Sequence, residues 1–221
     1  MRHTVQKIAG LAFAVVVAFS AGSPAAQAGS SLAAQCAKAP VIKVVANQVP
    51  AQLTTQRPEA YAKKMRAGWR VQGLTVLKRQ FAAQISWDVV STSQGSCLRM
   101  REVTVRAGEI PPKIWINPSI RVNSCEYKIT MRHELEHVKN HNTYLTQFKS
   151  GVKSNFPKML GRNGYVMLNN GRSTAQAQAQ IRNSVTQILH AINRKYDAVA
   201  DKKDQHMDTP SNYRREFASC R

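Results

Sequence analysis

Apolar positions along the chain change period once, near residue 120. Before that point they come in short β-branched runs. Val41–Val45 (VIKVV) reads as a strand, as do Ile85–Thr92 (ISWDVVST) and Leu98–Val105 (LRMREVTV). The last two are separated by Ser93-Gln94-Gly95-Ser96, a hairpin-type turn. Lys113–Asn117 (KIWIN) lies between prolines, which predicts an edge strand. A short helix is expected after Pro58, over Glu59–Met65, with Gly68 beyond its end. After residue 120 the spacing turns helical. Met131, Leu135, Val138 and Leu145 predict a helix from about Cys125 to Ser150, with Ser124 as N-cap and Gly151 as stop. Asn169-Asn170-Gly171 marks a turn. A second long helix is predicted from Thr174 to about Lys202, with the stripe Ile181, Val185, Ile188, Ile192, Tyr196 and Val199. Strands first and helices second give an α+β class: a small antiparallel sheet followed by two long helices.

The first 28 residues stand apart. Arg2 and Lys7 precede an apolar run from Ile8 to Phe19, and Ala26-Gln27-Ala28 is a small-x-small cleavage pattern. These are the three parts of a secretory signal peptide. The run is shorter than the roughly 20 residues a membrane-spanning helix needs. Residues 29–39 are small and polar and are expected to form a flexible lead-in, which leaves 40–221 as one domain.

Export changes what the cysteines mean. Cys36, Cys97, Cys125 and Cys220 are an even set without a C-x-x-C pair, so two disulfides are expected rather than a thiolate metal site. Of the three possible pairings, Cys97–Cys125 with Cys36–Cys220 is the expectation. Charge is the other departure from an ordinary composition. The 221 residues carry 32 Lys+Arg against 12 Asp+Glu, a formal charge of +20. Basic residues spread along the chain solubilise it on one reading; on the other they hold it to anionic cell-envelope polymers or draw in acidic substrates. No helix-turn-helix, zinc-finger or RNP pattern points to nucleic acid, and export disfavours it.

The predicted first long helix contains His133-Glu134-Leu135-Glu136-His137, an H-E-x-x-H sequence. Residues four apart on a helix lie one above the other, so both imidazoles can grip one metal ion. Glu134 projects from the same side, within reach of a water on that ion. The His and Glu content of the chain yields only ~0.005 chance matches to this motif. The apolar stripe Met131/Leu135/Val138/Leu145 is expected on the opposite side, against a core. Spacing leaves the third ligand open. His141 lies about 12 Å along the axis from His133 and is better suited to a structural role. Asp197 and Asp201 are four apart on the second helix, and His206 and Asp208 follow. His190 is expected on an exposed helix face. A hydrogen bond to the developing oxyanion is expected from Tyr196 or His206.

From Trp87 to the C-terminus, the chain resembles the DUF922 family of predicted secreted zinc-dependent proteases. The resemblance rests on the hairpin with Cys97, the Trp115 strand with its prolines, the H-E-L-E-H sequence and the pair Tyr196-Asp197. It implies a zincin-like fold, Zn2+ held by His133, His137 and Asp197, and Glu134 as the catalytic base. Many members continue with T-x-H-G, where this chain has Ala200-Asp201-Lys202-Lys203. The function expected is an exported, secreted or periplasmic zinc metallopeptidase acting on a peptide or protein substrate. The alternatives are a zinc amidase acting on cell-wall peptides and a non-catalytic envelope-binding protein with a structural or vestigial metal site.

Overall fold

The computed structural model describes residues 31–57, 71–169 and 171–220. The expected signal peptide and the helix expected after Pro58 lie outside the described residues, as does Trp69.

One long hairpin organises the first half. Strand β4 (Phe81–Thr92) turns through Ser93-Gln94 into β5 (Gly95–Ala107), and Gly95 adopts a positive φ at the turn. The other edge of β5 is shared end to end by two strands. β1 (Val41–Ala46) runs parallel to Glu102–Ala107, and β7 (Tyr165–Met167) runs antiparallel to Cys97–Arg99. The sheet is therefore mixed rather than wholly antiparallel. On β5 the positions buried in the main core are Leu98 and Met100, then Val103, Val105 and Ala107, while Cys97 is buried against Leu32 and Cys36. The alternation changes phase because Arg101 is an extra residue, a bulge opposite the Ser86/Trp87 step.

A second sheet is smaller. It has the order β2 (Gln52–Leu53), β6 (Lys113–Ile116), β3 (Gly73–Val76). The expectation that Lys113–Asn117 forms an edge strand is not met. β2 pairs parallel to its first two residues and β3 pairs antiparallel along its length. Pro112 and Pro118 stop the strand at its ends, outside the ladder, so they leave its centre free to pair. The edge strands are β2 and β3.

Helices cover the first sheet. α1 is a single short helix (Leu32–Cys36), α2 runs Cys125–Leu160, α3 Thr174–Met207 and α4 Pro210–Phe217. Ser124 caps α2 by accepting from the Tyr127 N–H, as expected. Gly151 does not end the helix. It lies inside α2 under the ring of Tyr196, where a β-carbon would overlap the aromatic atoms, and the stop is Gly161 at φ 49°. Gly151 is thus a site of close approach between α2 and α3. Ser173 forms a capping box with Gln176 at the start of α3. Ile181, Val185, Ile188 and Ile192 are buried against Tyr144, Phe148, Val152 and Phe156 of α2 and against β5. Val199 ends the predicted stripe on the surface, and Ala200 is buried in its place.

The lead-in and the disulfides also differ from expectation. Residues 32–36 are helical, capped by Ser31, with Leu32 and Cys36 buried. The bridges are Cys36–Cys97 and Cys125–Cys220. The first ties α1 to β5, and the second ties the first residue of α2 to the chain end just past α4. Closing loops of 61 and 95 residues stabilises the fold by roughly 4–5 kcal/mol each through the entropy removed from the unfolded chain. Among the described residues, no helix is long and apolar enough to cross a membrane.

Gly151→Ala should lower stability by about 1–3 kcal/mol, because Tyr196 has to move off the helix. The loss should shrink in a Tyr196→Ala background. Denaturant unfolding of the four proteins of this cycle checks both points.

Candidate metal centre

Helix α2 buries one continuous stripe with two chemistries. Its apolar half is Tyr144, Leu145, Phe148, Val152 and Phe156, and its polar half is Thr130, His133, Glu134, His137 and His141. The expected division into a ligand side and an opposite apolar side is not met. Leu135 is exposed and Met131 only half-buried, while the imidazoles point inward. Polar residues tolerate that position because carboxylates from α3 and α4 meet them there.

Each imidazole is held at both nitrogens. His133 Nδ1 lies 3.1 Å from Glu216 Oε2 on α4, and His137 Nδ1 lies 3.0 Å from Asp204 Oδ1 on α3. The two Nε2 atoms converge on a single oxygen, Asp208 Oδ1, at 3.1 and 3.2 Å. The Tyr213 hydroxyl on α4 completes the cluster, 3.0 Å from His133 Nε2 and 3.3 Å from Asp208 Oδ1. His133, His137 and Asp208 each offer one ligand atom, all within 4.8 Å of one another, so this group could hold a metal ion. The pattern is the one metal-binding histidines use, with the outer ring nitrogen on a carboxylate and the inner one turned to the ion.

Local structure explains how Asp208 arrives there. It is the C-cap of α3, its N–H donating to the Asp204 carbonyl. Thr209 then caps α4 and Pro210 occupies its first turn. The chain reverses at this corner, which brings Tyr213 and Glu216 back onto His133. The Cys125–Cys220 bridge fixes the far end of the same segment to the start of α2.

Glu134 sits beside the group but outside it. The Thr75 hydroxyl on β3 donates to its Oε2 at 2.7 Å and to its backbone oxygen at 3.1 Å. Gly73 on the same strand leaves the space the carboxylate fills: a β-carbon there would overlap both Glu134 and Thr130. Burial raises the Glu134 carboxyl above its ordinary range, against the lowering influence of Thr75 and the imidazoles.

The charges are tightly balanced. Burial opposes charge on His137, but its hydrogen bonds to Asp204 and Asp208 prevail and raise it to about 10. His133 is raised as well, where the bond to Asp208 and the charge of Glu134 overcome burial. Asp208 is lowered by its two imidazole bonds in spite of burial. A metal ion on the Nε2 side would therefore displace protons. Of the 12 carboxylates in the chain, Glu134, Asp197, Asp201, Asp204, Asp208 and Glu216 all lie in this region.

The other residues considered from sequence take different places. Asp197 and Asp201 do not reach the imidazoles and instead pair with Arg79. They lie two turns and one turn back along α3 from Asp204, respectively. His206 is exposed, and Tyr196 is engaged with Gly151. His190 is exposed and meets the Phe81 ring edge-on at 5.1 Å. His141 is structural: it is buried and stacked on Tyr144, with its Nδ1 making no hydrogen bond. Trp115 is buried on β6 of the smaller sheet, and Trp87 packs against the main core between the first sheet and the long helices.

No protein-family model, curated protein or solved structure matches this chain.

Burial and the nearby Arg79 charge hold His141 neutral, lowering it to about 4. In the unfolded chain it protonates near 6.5. Its contribution to stability is intact above that value and is lost as pH falls from about 6.5 to 4, by about 3 kcal/mol in all. His141→Phe keeps the ring stack and cannot protonate. Unfolding free energies measured across this window should fall less steeply for the variant than for wild type.

Proposed function

We propose that this protein is an exported zinc-dependent hydrolase that cleaves peptide bonds. One observation carries the reading: two Nε2 atoms and a carboxylate oxygen converge on one point, with Glu134 buried alongside. Ligand atoms about 2.0–2.1 Å from a tetrahedral zinc lie about 3.3 Å from one another. The Nε2 to Oδ1 separations of 3.1 and 3.2 Å are close to that value. Three protein ligands with one open position is the catalytic rather than the structural form of a zinc site. Asp208, whose side chain is half exposed, gives the group its opening to solvent.

His133, His137 and Asp208 would hold the ion. When bound, it supplies Lewis acidity, making a water more acidic and polarising a carbonyl. The remaining work falls to side chains. Glu134 accepts a proton from the attacking water and returns it to the leaving amine; burial makes its carboxyl a stronger base for that step. Thr75 keeps Oε2 aimed and Gly73 keeps the carboxylate from being pushed aside. The Tyr213 hydroxyl is the donor placed to meet negative charge developing on the carbonyl oxygen. An extended peptide can add to β3, the edge strand beside Glu134.

The setting agrees with this. Two disulfides fit an oxidising environment outside the cytoplasm, and the basic surface suits a substrate or envelope polymer of opposite charge. The DUF922 resemblance, carried by H-E-L-E-H, points to the same chemistry.

Zinc-loaded wild type should hydrolyse an unstructured protein substrate, and Glu134→Gln should lose at least about 100-fold in kcat while retaining zinc. Metal analysis alongside a fluorescent casein assay reads both. Full zinc content with no turnover in wild type would instead favour the non-catalytic binding protein.

A further inference from the structure

Arg79 lies in the link between β3 and β4, outside any part of the sequence that carries the motif. Its side chain is 9% exposed. The guanidinium pairs with Asp197 at 3.1 Å through Nη1, with Asp201 through the same nitrogen, and with Asp204 Oδ2 through Nη2. Its carbon stands 5.7 Å from the centre of the Tyr144 ring, and its charge acts on the neutral His141 below. Asp197, Asp201 and Asp204 occupy one face of α3 at steps of four and three, so a single planar cation can bridge them.

Asp204 divides its two oxygens. Oδ2 faces Arg79, while Oδ1 receives His137 Nδ1 at 3.0 Å and Asn140 Nδ2 at 3.0 Å. With Oδ2 held by Nη2 of a guanidinium whose Nη1 is itself anchored on Asp197 and Asp201, the carboxylate is kept from turning Oδ1 away. The Nδ1–H of His137 therefore stays on Asp204 and its Nε2 stays directed at Asp208. We propose that Arg79 is a positioning residue for the metal centre: with Asp197 and Asp201 as its anchors, it fixes Asp204 and through it the tautomer and aim of His137. This rests on the metal reading above. It also assigns a role to Asp197, which supports the arginine that orients the ligand's partner. On His133 the Nδ1 partner is Glu216, steadied by Asn212 Nδ2 donating to its Oε1 at 2.8 Å rather than by an arginine among the described residues.

The test is zinc affinity of the full, disulfide-bonded chain, measured by competition with a chelating dye, with thermal unfolding of the metal-free proteins as a check on folding. Arg79→Ala should raise the Kd for zinc about 10–100-fold, and Asp204→Asn should do the same. The double variant should be no weaker than either single one, because both act on one imidazole. Combined with Glu216→Gln, which acts on the other imidazole, the Arg79→Ala effect should multiply. Arg79→Lys keeps the charge but not the fork, and should recover part of the affinity; it serves in place of the alanine variant if that one does not fold. A Kd for Arg79→Ala within about twofold of wild type, or effects of Arg79→Ala and Asp204→Asn that multiply, would overturn the assignment. Wild type that takes up no zinc would bring down the metal reading itself, a result distinct from zinc-binding wild type beside an indifferent Arg79 variant.

Discussion

Two imidazoles buried on the inner face of a helix need carboxylates at both of their nitrogens, and meeting that need shapes the second half of the molecule. Glu216 and Asp204 hold the outer nitrogens, and Asp208 meets the inner ones. These three come from the last turn of α3, its C-cap and the last turn of α4. The corner at Asp208-Thr209-Pro210 must therefore bend as it does, and the Cys125–Cys220 bridge must keep α4 against α2. Leaving one such group unpaired inside the fold costs about 1–3 kcal/mol or more. The polar half of the α2 stripe thus depends on the C-terminal segment as closely as its apolar half depends on the sheet.

The same need explains the distribution of charge. In a chain of formal charge +20, half of the carboxylates lie either beside His133 and His137 or on Arg79, which pairs with one of their partners. The remaining surface is left strongly cationic.

What could be read in advance follows from how local each signal is. The change from period two to helical period located β1, β4, β5, α2 and α3, because alternation and helical stripes are written in neighbouring residues. H-E-x-x-H placed His133, Glu134 and His137 correctly on one helical face for the same reason. Gly151 was misread as a stop because its cause lies across the molecule, in the ring of Tyr196. The cysteine pairing and the edge-strand assignment of Lys113–Asn117 failed likewise, since both depend on which distant segment comes alongside. Asp208 was one of several third-ligand candidates. The signal favouring it was the cap sequence Asp208-Thr209-Pro210, which ends one helix and starts the next and so turns its carboxylate inward. Tyr213, Glu216 and Arg79 had no local signature at all.

On the proposed reading Asp208, rather than Asp197, completes the metal site with His133 and His137. Zinc titration of the metal-free, disulfide-bonded protein tests it most directly, with wild type compared against Asp208→Asn and Asp197→Asn. One zinc per chain in wild type, an affinity more than about 100-fold weaker in Asp208→Asn, and a clearly smaller loss in Asp197→Asn are the results this account predicts. Undiminished affinity in Asp208→Asn, with binding abolished in Asp197→Asn, would contradict it.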